Sequence, residues 1–144
     1  MLIREPDDTS LVVALYEDDQ VVGCTALLTN PVLGLGWTTE ERQQPSLLMT
    51  MTHTHPDRRG DRIGLLMTMW VCDFAARLSE PRSWVRCHVP DRGLATHYSN
   101  EMGWQEVRAR TDQQGSRVYL MQCPAAPKDG LSAFICSRVA VGKR

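Results

Sequence analysis

A short loop of the sequence, residues 59–65 with the letters RGDRIGL, combines two glycines with charged side chains. The run LLMTMTHTHP before it alternates with a period of two, which predicts a strand, and the run IGLLMTMWVCDFAARL after it has helical spacing. The first N–H groups of a helix have no backbone partner and lie at the positive end of the helix dipole. Glycines let an anion approach such a turn closely. The loop therefore predicts a site for the pyrophosphate of a coenzyme, with an ordinary strand-to-helix turn as the alternative.

Strand and helix patterns divide the rest of the chain into a short series of elements. Two β-rich runs at 11–16 and 21–28 flank the polar turn EDDQ and predict an antiparallel hairpin. A loop at 30–46 precedes the alternating strand, which Pro56 ends, and a buried helix follows at 62–78. The run SWVRCHV is a strand, Asp91 is the N-cap of a short helix, and Gly103 closes that helix. The hairpin of WQEVRAR and RVYLMQC completes the order β-β-β-α-β-α-β-β.

This order of elements, together with the segments HPDRRGDRIG and HYSNEMGW, resembles the GCN5-related N-acetyltransferase (GNAT) family over about residues 11–123. The family's signature is Arg/Gln-x-x-Gly-x-Gly/Ala, and Arg59, Arg62 and Gly64 fall on its fixed positions. The resemblance implies an α/β (α+β) fold with a central mixed, mostly antiparallel sheet flanked by helices. Only about ten residues precede Leu11, so the family's N-terminal strand and two short helices are expected to be shortened or missing.

The same resemblance implies the coenzyme and the residues that bind it. In the family, the loop amides bind the pyrophosphate of acetyl-CoA, and the preceding strand pairs with the pantetheine arm through its backbone. Arg62 stands where the family usually has its first glycine, and its guanidinium can pair with the phosphates. The carboxylate of Asp61 must point away from them. The residues predicted to bind acetyl-CoA or another acyl-CoA are Thr52, Thr54, Arg59, Gly60, Asp61, Arg62, Ile63, Gly64 and Leu65.

Tyr98 is the catalytic residue that the resemblance implies. In the family, a tyrosine on the helix after the fifth strand protonates the departing thiolate of the coenzyme. Tyr98 matches by its place before the pair Gly103-Trp104, although the interval is one residue longer than the usual Tyr-x-x-x-Gly. A phenol of ordinary pKa is protonated at neutral pH and can donate to a developing thiolate. The alternative is a half-buried structural tyrosine.

The strand before the loop carries two histidines, and the direction of their side chains decides what they can do. Strict alternation puts His53 and His55 on one face with Met49, and it puts Thr52 on the other face with Leu48. The histidines would then point away from the predicted coenzyme residues. A β-bulge in the strand would change this assignment.

The general base of the reaction stays open. The family's base positions on this strand align with Leu48 and Thr50, neither of which can accept a proton. His88, His97 and a relay through water are the remaining candidates. A metal cluster of the strand histidines with Cys87 and His88 is an alternative, but no CxxC or HExxH spacing supports it, so no metal is predicted.

The composition limits the classes of protein to which the sequence can belong. The 144 residues fit one domain, and a net charge of −1 gives no reason to expect nucleic acid or a membrane surface as partner. No stretch is long and apolar enough to span a bilayer, and the N-terminal MLIREPDD lacks the pattern of a secretory signal. The five cysteines are an odd number without a CxxC pair, which is typical of reduced thiols and favours a cytoplasmic protein.

The last stretch of the chain follows a proline-rich break. We predict a GNAT-like domain at 1–124 and a C-terminal extension at 125–144. The extension contains LSAFICSRVAV, which is apolar and β-prone. It is expected to add a strand to a sheet edge, either in its own subunit or across a homodimer.

The resemblance and these residues together predict an acetyl-CoA-dependent N-acetyltransferase. Its partners would be a coenzyme A thioester and an unidentified amine acceptor, which attacks the thioester directly. A missing N-terminal wall would leave room for a large acceptor such as a peptide or a protein terminus. Two alternatives stay open: a non-catalytic acyl-CoA-binding or interaction module, and an acyltransferase of the same fold that acts on a non-amine acceptor in a biosynthetic pathway.

Overall fold

The computed structural model describes residues 2–4, 10–57, 62–131 and 138–140, with side chains at 10–57 and 62–131. Within these residues, eight strands form one sheet. The strands are β1 Leu2–Arg4, β2 Ser10–Glu17, β3 Gln20–Leu28, β4 Ser46–Thr54, β5 Trp84–Val89, β6 Gln105–Thr111, β7 Arg117–Pro124 and β8 Arg138–Ala140. The helices are α1 Thr39–Gln43, α2 Ile63–Arg77 and α3 Arg92–Glu101.

The strands follow the order β6-β7-β5-β4-β3-β2-β1-β8 across the sheet. Two pairs are parallel, β4 with β5 and β1 with β8, and the remaining pairs are antiparallel. The predicted mixed, mostly antiparallel sheet is therefore confirmed, as is the predicted order from the first hairpin to the last. The short strand β1 stands before that hairpin and pairs with β2, so a strand does precede the hairpin.

Helix ends agree with the local signals in the sequence. The Asp91 carboxylate caps α3 by accepting a hydrogen bond from the backbone N–H of Leu94 at 2.8 Å. Gly103 follows the helix with φ +75°, a left-handed conformation in which glycine has no Cβ penalty. The N–H groups of Met102 and Trp104 both donate to the Tyr98 carbonyl, at 3.2 and 3.1 Å, so the helix ends in a wide turn. This turn accommodates the extra residue between Tyr98 and Gly103.

Helix α2 covers one face of the sheet and completes the main core. Its buried side chains Met67, Val71 and Ala75 pack among Val13 and Leu27 of the hairpin strands. Within the described residues, no helix is long and apolar enough to cross a membrane.

The opposite face is covered by residues 29–45, a segment predicted only as a loop. It contains α1, which begins with a capping box in which Thr38 and Glu41 satisfy each other's backbone N–H groups. Leu33 and Trp37 of this segment pack on Leu48 and Leu120 of the sheet, forming a second, smaller core.

Residues 125–131 run back across the end of α2 after β7. The backbone N–H of Ala126 donates to the carbonyl of Cys72 at 3.3 Å, and that of Lys128 donates to the Asp73 carboxylate at 2.8 Å. Leu131 is buried in the main core. Further along, β8 pairs with β1 of the same chain. A division into two units at 124 stays a prediction.

Candidate functional site

Strands β4 and β5 separate half-way along their length. They pair in parallel only from Ser46 opposite Trp84 to Met49 opposite Cys87. Beyond that point β4 continues to Thr54, and β5 continues to Val89 with β7 as its only strand partner among the described residues. The end of β4 therefore has a backbone edge directed at the gap, and an extended chain could pair with it.

A β-bulge lies in β4 where the two strands separate. Leu27 of β3 lies opposite Met49, and Thr25 lies opposite Thr52. Between these pairs, two residues of β4 stand opposite a single residue of β3. The extra residue leaves Met51 exposed and turns Thr52 to the same face as Met49. The prediction of strict alternation, with Thr52 on the face of Leu48, is therefore wrong.

A cleft of about 810 Å³ opens beside this gap. One wall is the end of β4, the second is the first turn of α2, and the third is one side of α3. Its volume lies within the range of small-molecule binding sites. The lining residues are Thr52, His53, Thr54, Arg62, Ile63, Gly64, Leu65, Leu94, His97, Tyr98, Glu101 and Met102.

The first turn of α2 lines the cleft with its backbone amides. Among the described residues, the first bond of the helix runs from the Leu66 N–H to the Arg62 carbonyl at 3.1 Å, so the amides of Ile63, Gly64 and Leu65 have no described partner. No described side chain caps the helix. A methyl group added to Gly64 would meet no described atom within 4 Å. Within the described part of the chain, the turn thus combines the dipole, the amide donors and the open space that an anion needs.

Arg62 begins this turn in a left-handed conformation, with φ 57° and ψ 32°. Glycine adopts this conformation without steric cost, whereas a residue with a Cβ does so at about 1 kcal/mol. The side chain of Arg62 is exposed at the mouth of the cleft. A cation in this place can pair with an anion held by the turn.

Tyr98 lies at the inner end of the cleft and is only 8% exposed. Its ring packs against Trp104, with centroids 5.5 Å apart. Burial, with a smaller effect of neighbouring Cys87, raises the pKa of Tyr98 to about 12. The nearby Thr52 hydroxyl, which is bonded to the Thr25 hydroxyl at 2.9 Å, slightly lowers the pKa of the phenol. The phenol therefore keeps its proton at neutral pH and can donate it.

Comparisons with known proteins decide the fold. No protein-family model and no curated protein matches the sequence. The spermidine N-acetyltransferase from Vibrio cholerae, in complex with CoA and spermine, has a TM-score of 0.62 at 13% identity, covering 85% of this chain and 69% of that one. A nourseothricin acetyltransferase has a TM-score of 0.61 at 19% identity, covering 85% and 69%. A GNAT-family protein from Desulfovibrio desulfuricans has a TM-score of 0.63 at 13% identity, covering 82% and 71%.

The chain has the GNAT fold. The resemblance found in the sequence is confirmed at the level of architecture, and identities of 12–19% carry it no further. The structural neighbours are acetyltransferases by name, which bears on the chemistry proposed below.

Most of the residues predicted from the sequence come together in the GNAT cleft. The described ones among them line it: Thr52, Thr54, Arg62, Ile63, Gly64, Leu65 and Tyr98. Arg59, Gly60 and Asp61 lie outside the described residues. Their role in binding stays a prediction.

One wall of the cleft was not predicted. Leu94, Glu101 and Met102 lie on the same side of α3 as Tyr98. They stand four residues before and three and four residues after it, which is the spacing of one helix face. A helical projection from Tyr98 would have found them in the sequence. Thr25 could not have been found in this way, because its contact with Thr52 depends on the bulge.

The four histidines of the GNAT domain have different surroundings. His53 and His97 line the cleft, while His55 accepts a hydrogen bond from the backbone N–H of Asp57 at 3.2 Å beyond the end of β4. His88 lies on the other side of the sheet, bonded to Trp37. Among the described residues, no three histidine, cysteine or acidic side chains form a group that could hold a metal ion.

Proposed function

We propose that this protein is an acyltransferase that transfers the acetyl group of acetyl-CoA to an amine acceptor. One observation carries the proposal: helix amides and a strand edge that have no partner among the described residues face a single cleft together with a buried tyrosine. These are the three contacts that a coenzyme A thioester requires at its diphosphate, its pantetheine arm and its sulfur.

The diphosphate would lie at the start of α2. The amides of Ile63, Gly64 and Leu65 are its proposed donors, together with the guanidinium of Arg62. The open space beside Gly64 supports this assignment, because no protein atom fills it. The pantetheine arm would pair with the free edge of β4 near Thr52 and Thr54. The predicted residues Arg59, Gly60 and Asp61 would complete the loop.

Tyr98 would act as the general acid. The neutral amine attacks the thioester carbonyl, a C–N bond forms and the C–S bond breaks, and the amine gives up one proton to water or a base. The leaving thiolate takes the proton of the Tyr98 phenol, and the phenolate regains a proton from water or the base. Amides of β4 beside the gap would polarise the carbonyl. Burial keeps the phenol protonated, since its pKa is about 12.

The amine acceptor is supported by the named substrate of a structural neighbour. The Vibrio cholerae protein is a spermidine N-acetyltransferase whose structure holds CoA and spermine. We extend only the reaction class to this chain, namely transfer to an amine. The four described cysteines form no disulfide, which is consistent with the cytoplasm as the proposed compartment.

Coenzyme binding and turnover should be measured separately. Calorimetry with CoA and acetyl-CoA tests the cleft, and thiol release with a panel of amines tests the reaction. We expect Tyr98→Phe to lower kcat by about 100-fold or more while coenzyme affinity is kept, because only the transferred proton is lost. Tyr119→Phe is the matched control: Tyr119 is also 8% exposed but lies outside the cleft. Turnover unaffected by Tyr98→Phe would remove the tyrosine from its role.

A non-catalytic acyl-CoA-binding module is the second candidate, and two observations favour it. The positions of the family's strand base hold Leu48 and Thr50, and the Nε2 atom of His88 is occupied by Trp37. Coenzyme binding without thiol release for any amine would favour this module. Absence of coenzyme binding would contradict both candidates.

A further inference from the structure

The sheet face opposite α2 carries three arginines on β5 and β6, between the gap beside β5 and the edge of the sheet. Arg86 and His88 of β5 share this face with Leu120 and Gln122 of β7, their cross-strand partners. Arg108 of β6 lies opposite Leu120 and belongs to the same face. His88 is the first β5 residue beyond the last pair with β4. This face therefore borders the gap from the side away from the proposed coenzyme site.

Two of the three arginines on this face have all their partners within the protein. Arg86 is fully buried and donates to Gln122, to Gln44 and to the Glu41 carbonyl. Arg108 forms a bidentate pair with the Glu41 carboxylate at 2.6 and 2.9 Å. Both cations are thus committed to holding α1 on the sheet.

Arg110 is different, because no described residue accepts a hydrogen bond from its Nε atom. It shares the face of its cross-strand partner Val118, and its side chain lies next to Gly36. Its Nε atom is buried and has no hydrogen-bond partner among the described residues. A buried charged donor without an acceptor is costly, so an acceptor from outside the chain would relieve that cost.

His88 adds a second donor beside Arg110. The indole N–H of Trp37 can only donate, and it does so to His88 Nε2 at 2.8 Å. The imidazole is therefore neutral with its proton on Nδ1. Partial burial and the nearby charge of Arg110 both lower the pKa of His88, which agrees with a neutral ring. His88 is thereby a hydrogen-bond donor at Nδ1 and a poor general base.

We infer that Arg110 and His88 bind a carboxylate of the acceptor, so that the substrate is an amine that also carries a carboxyl group. The inference rests on the proposed function for the amine, and on Arg110 for the anion. A planar guanidinium matches a carboxylate in shape and charge. The only described carboxylate bonded to an arginine of this face, that of Glu41, is already paired with Arg108. A polyamine would meet uncompensated positive charge here.

Binding of the anion can be measured without turnover. Side-chain ¹H–¹⁵N spectra would follow the Arg110 Nε–H during titration with N-acetylglycine, which carries the carboxylate, and with N-acetylglycinamide, which is neutral. We expect a saturable shift of this signal with the acid and none with the amide. An unchanged signal at high concentrations of the acid would overturn the inference, whatever the outcome for coenzyme.

Turnover gives the second readout. Glycine, glycinamide and spermidine are compared as acceptors in the wild type, in Arg110→Gln and in Arg117→Gln, which alters an exposed arginine elsewhere on the β6–β7 hairpin. Arg110→Gln should lower kcat/KM for the acid by about 10- to 100-fold and leave the amide within about twofold. Equal losses for acid and amide, or a preference for spermidine that Arg110→Gln does not change, would overturn the inference. Calorimetry with CoA, run in parallel, identifies failure of the coenzyme site itself.

Discussion

Arg62 and Gly64 show how single residues set the start of α2. Arg62 has a positive φ that costs a residue with a Cβ about 1 kcal/mol, at a position where the GNAT signature has glycine. Gly64, two residues later, has ordinary helical geometry and gains nothing locally from being glycine. Its role is argued from the open space above it. A substitution of Arg62 therefore tests the cost of the backbone conformation, whereas a substitution of Gly64 tests the open space beside the helix.

Gly64→Ala should separate folding from coenzyme binding. Alanine is more favourable than glycine in a helix by about 1 kcal/mol, and the new methyl group meets no protein atom. We therefore expect an equal or higher free energy of unfolding. The methyl group would occupy the space proposed for the diphosphate, so the Kd for CoA should rise about tenfold or more, as measured by calorimetry. Gly93→Ala, at the second position of α3, is the control and should leave the Kd unchanged. Unaltered affinity in Gly64→Ala would contradict the proposed diphosphate position.

The family resemblance brought forward residues that lie together in the structure. Gly64 was implied by the signature and Tyr98 by its place before Gly103-Trp104, and both line the cleft. The face of Thr52 was predicted wrongly, because one extra residue in β4 shifts every side chain after it. Nothing in the run LLMTMTHTH marks where that residue is inserted. A bulge is decided by the pairing of two strands, which the local sequence does not contain.

At the scale of elements, the closeness of β3 to α2 determines where the helix begins. A Cβ on Gly23 would lie 2.8 Å from Ile63 Cγ2 and 3.0 Å from Met67 Sδ. The Met67 side chain can move aside, but the Ile63 methyl is fixed to the first residue of α2. Glycine at position 23 thus lets the first turn of the helix approach the sheet.

Gly23→Ala should therefore weaken both stability and coenzyme binding. We expect a loss of about 1–3 kcal/mol in the free energy of unfolding, because the helix must shift away from the strand. The same shift would move the free amides, so the affinity for CoA should fall in parallel. Urea unfolding and calorimetry are the measurements. Gly34→Ala, where the added methyl meets no atom within 4 Å, is the control. A Gly23→Ala variant with unchanged stability and unchanged affinity for CoA would mean that the start of the helix can shift without consequence.

One of the contacts that fix helix α1 to the sheet, the ion pair of Glu41 with Arg108, has a pH dependence that can be predicted. The hydrogen bond from Arg108 is the main cause that holds the pKa of Glu41 down, from 4.5 to about 2. Because the folded-state pKa is the lower one, the stabilisation is present above about pH 4.5 and is lost as pH falls towards 2. Thermal unfolding of the wild type should show this loss, and Glu41→Gln should be less stable at pH 7 with a weaker dependence in that window. If the stability of both proteins fell equally as the pH was lowered, the Glu41–Arg108 ion pair would not be the cause of the loss.

The sequence contained the signal for α1, although the segment had been assigned to a loop. Thr38 and Glu41 have the spacing of a capping box, and Glu40 and Glu41 place negative charge in the first turn. The helix is only five residues long and has no buried residue, so no apolar period accompanies the cap. Its place on the sheet comes from Arg86 and Arg108, which are distant in sequence. Such contacts cannot be anticipated from a local pattern.

At the scale of the whole molecule, the two faces of the sheet have different proposed roles. Helix α2 and its cleft would bind the coenzyme, while residues 29–45 and the arginines of β5 and β6 form the other side. The separation of β4 and β5 lies between the two faces. Because residues 29–45 pack on the second face, the proposed acceptor side is a built surface with its own charge. This favours a small acidic amine over a large acceptor.

Deletions of the C-terminal tail test whether the sheet is completed within one chain. Deleting residues 132–144 removes β8 and exposes the edge of β1, whereas deleting 125–144 also removes buried Leu131 and the bonds to Cys72 and Asp73. We expect the longer deletion to lower the free energy of unfolding by about 2 kcal/mol or more, the usual contribution of one buried leucine. The shorter deletion should change stability less and should cause concentration-dependent association through the exposed edge.

Light scattering distinguishes pairing within the chain from exchange between chains. If β8 completes its own sheet, the full-length protein is a monomer, and the 132–144 deletion associates as its concentration rises. If the tail instead joins two copies, as in the predicted homodimer, the full-length protein is a dimer and the deletion is a monomer. The second pattern would contradict the pairing of β8 with β1 of the same chain. The first pattern would mean that the short strands β1 and β8 cover a sheet edge that the hairpin of β2 and β3 would otherwise leave exposed.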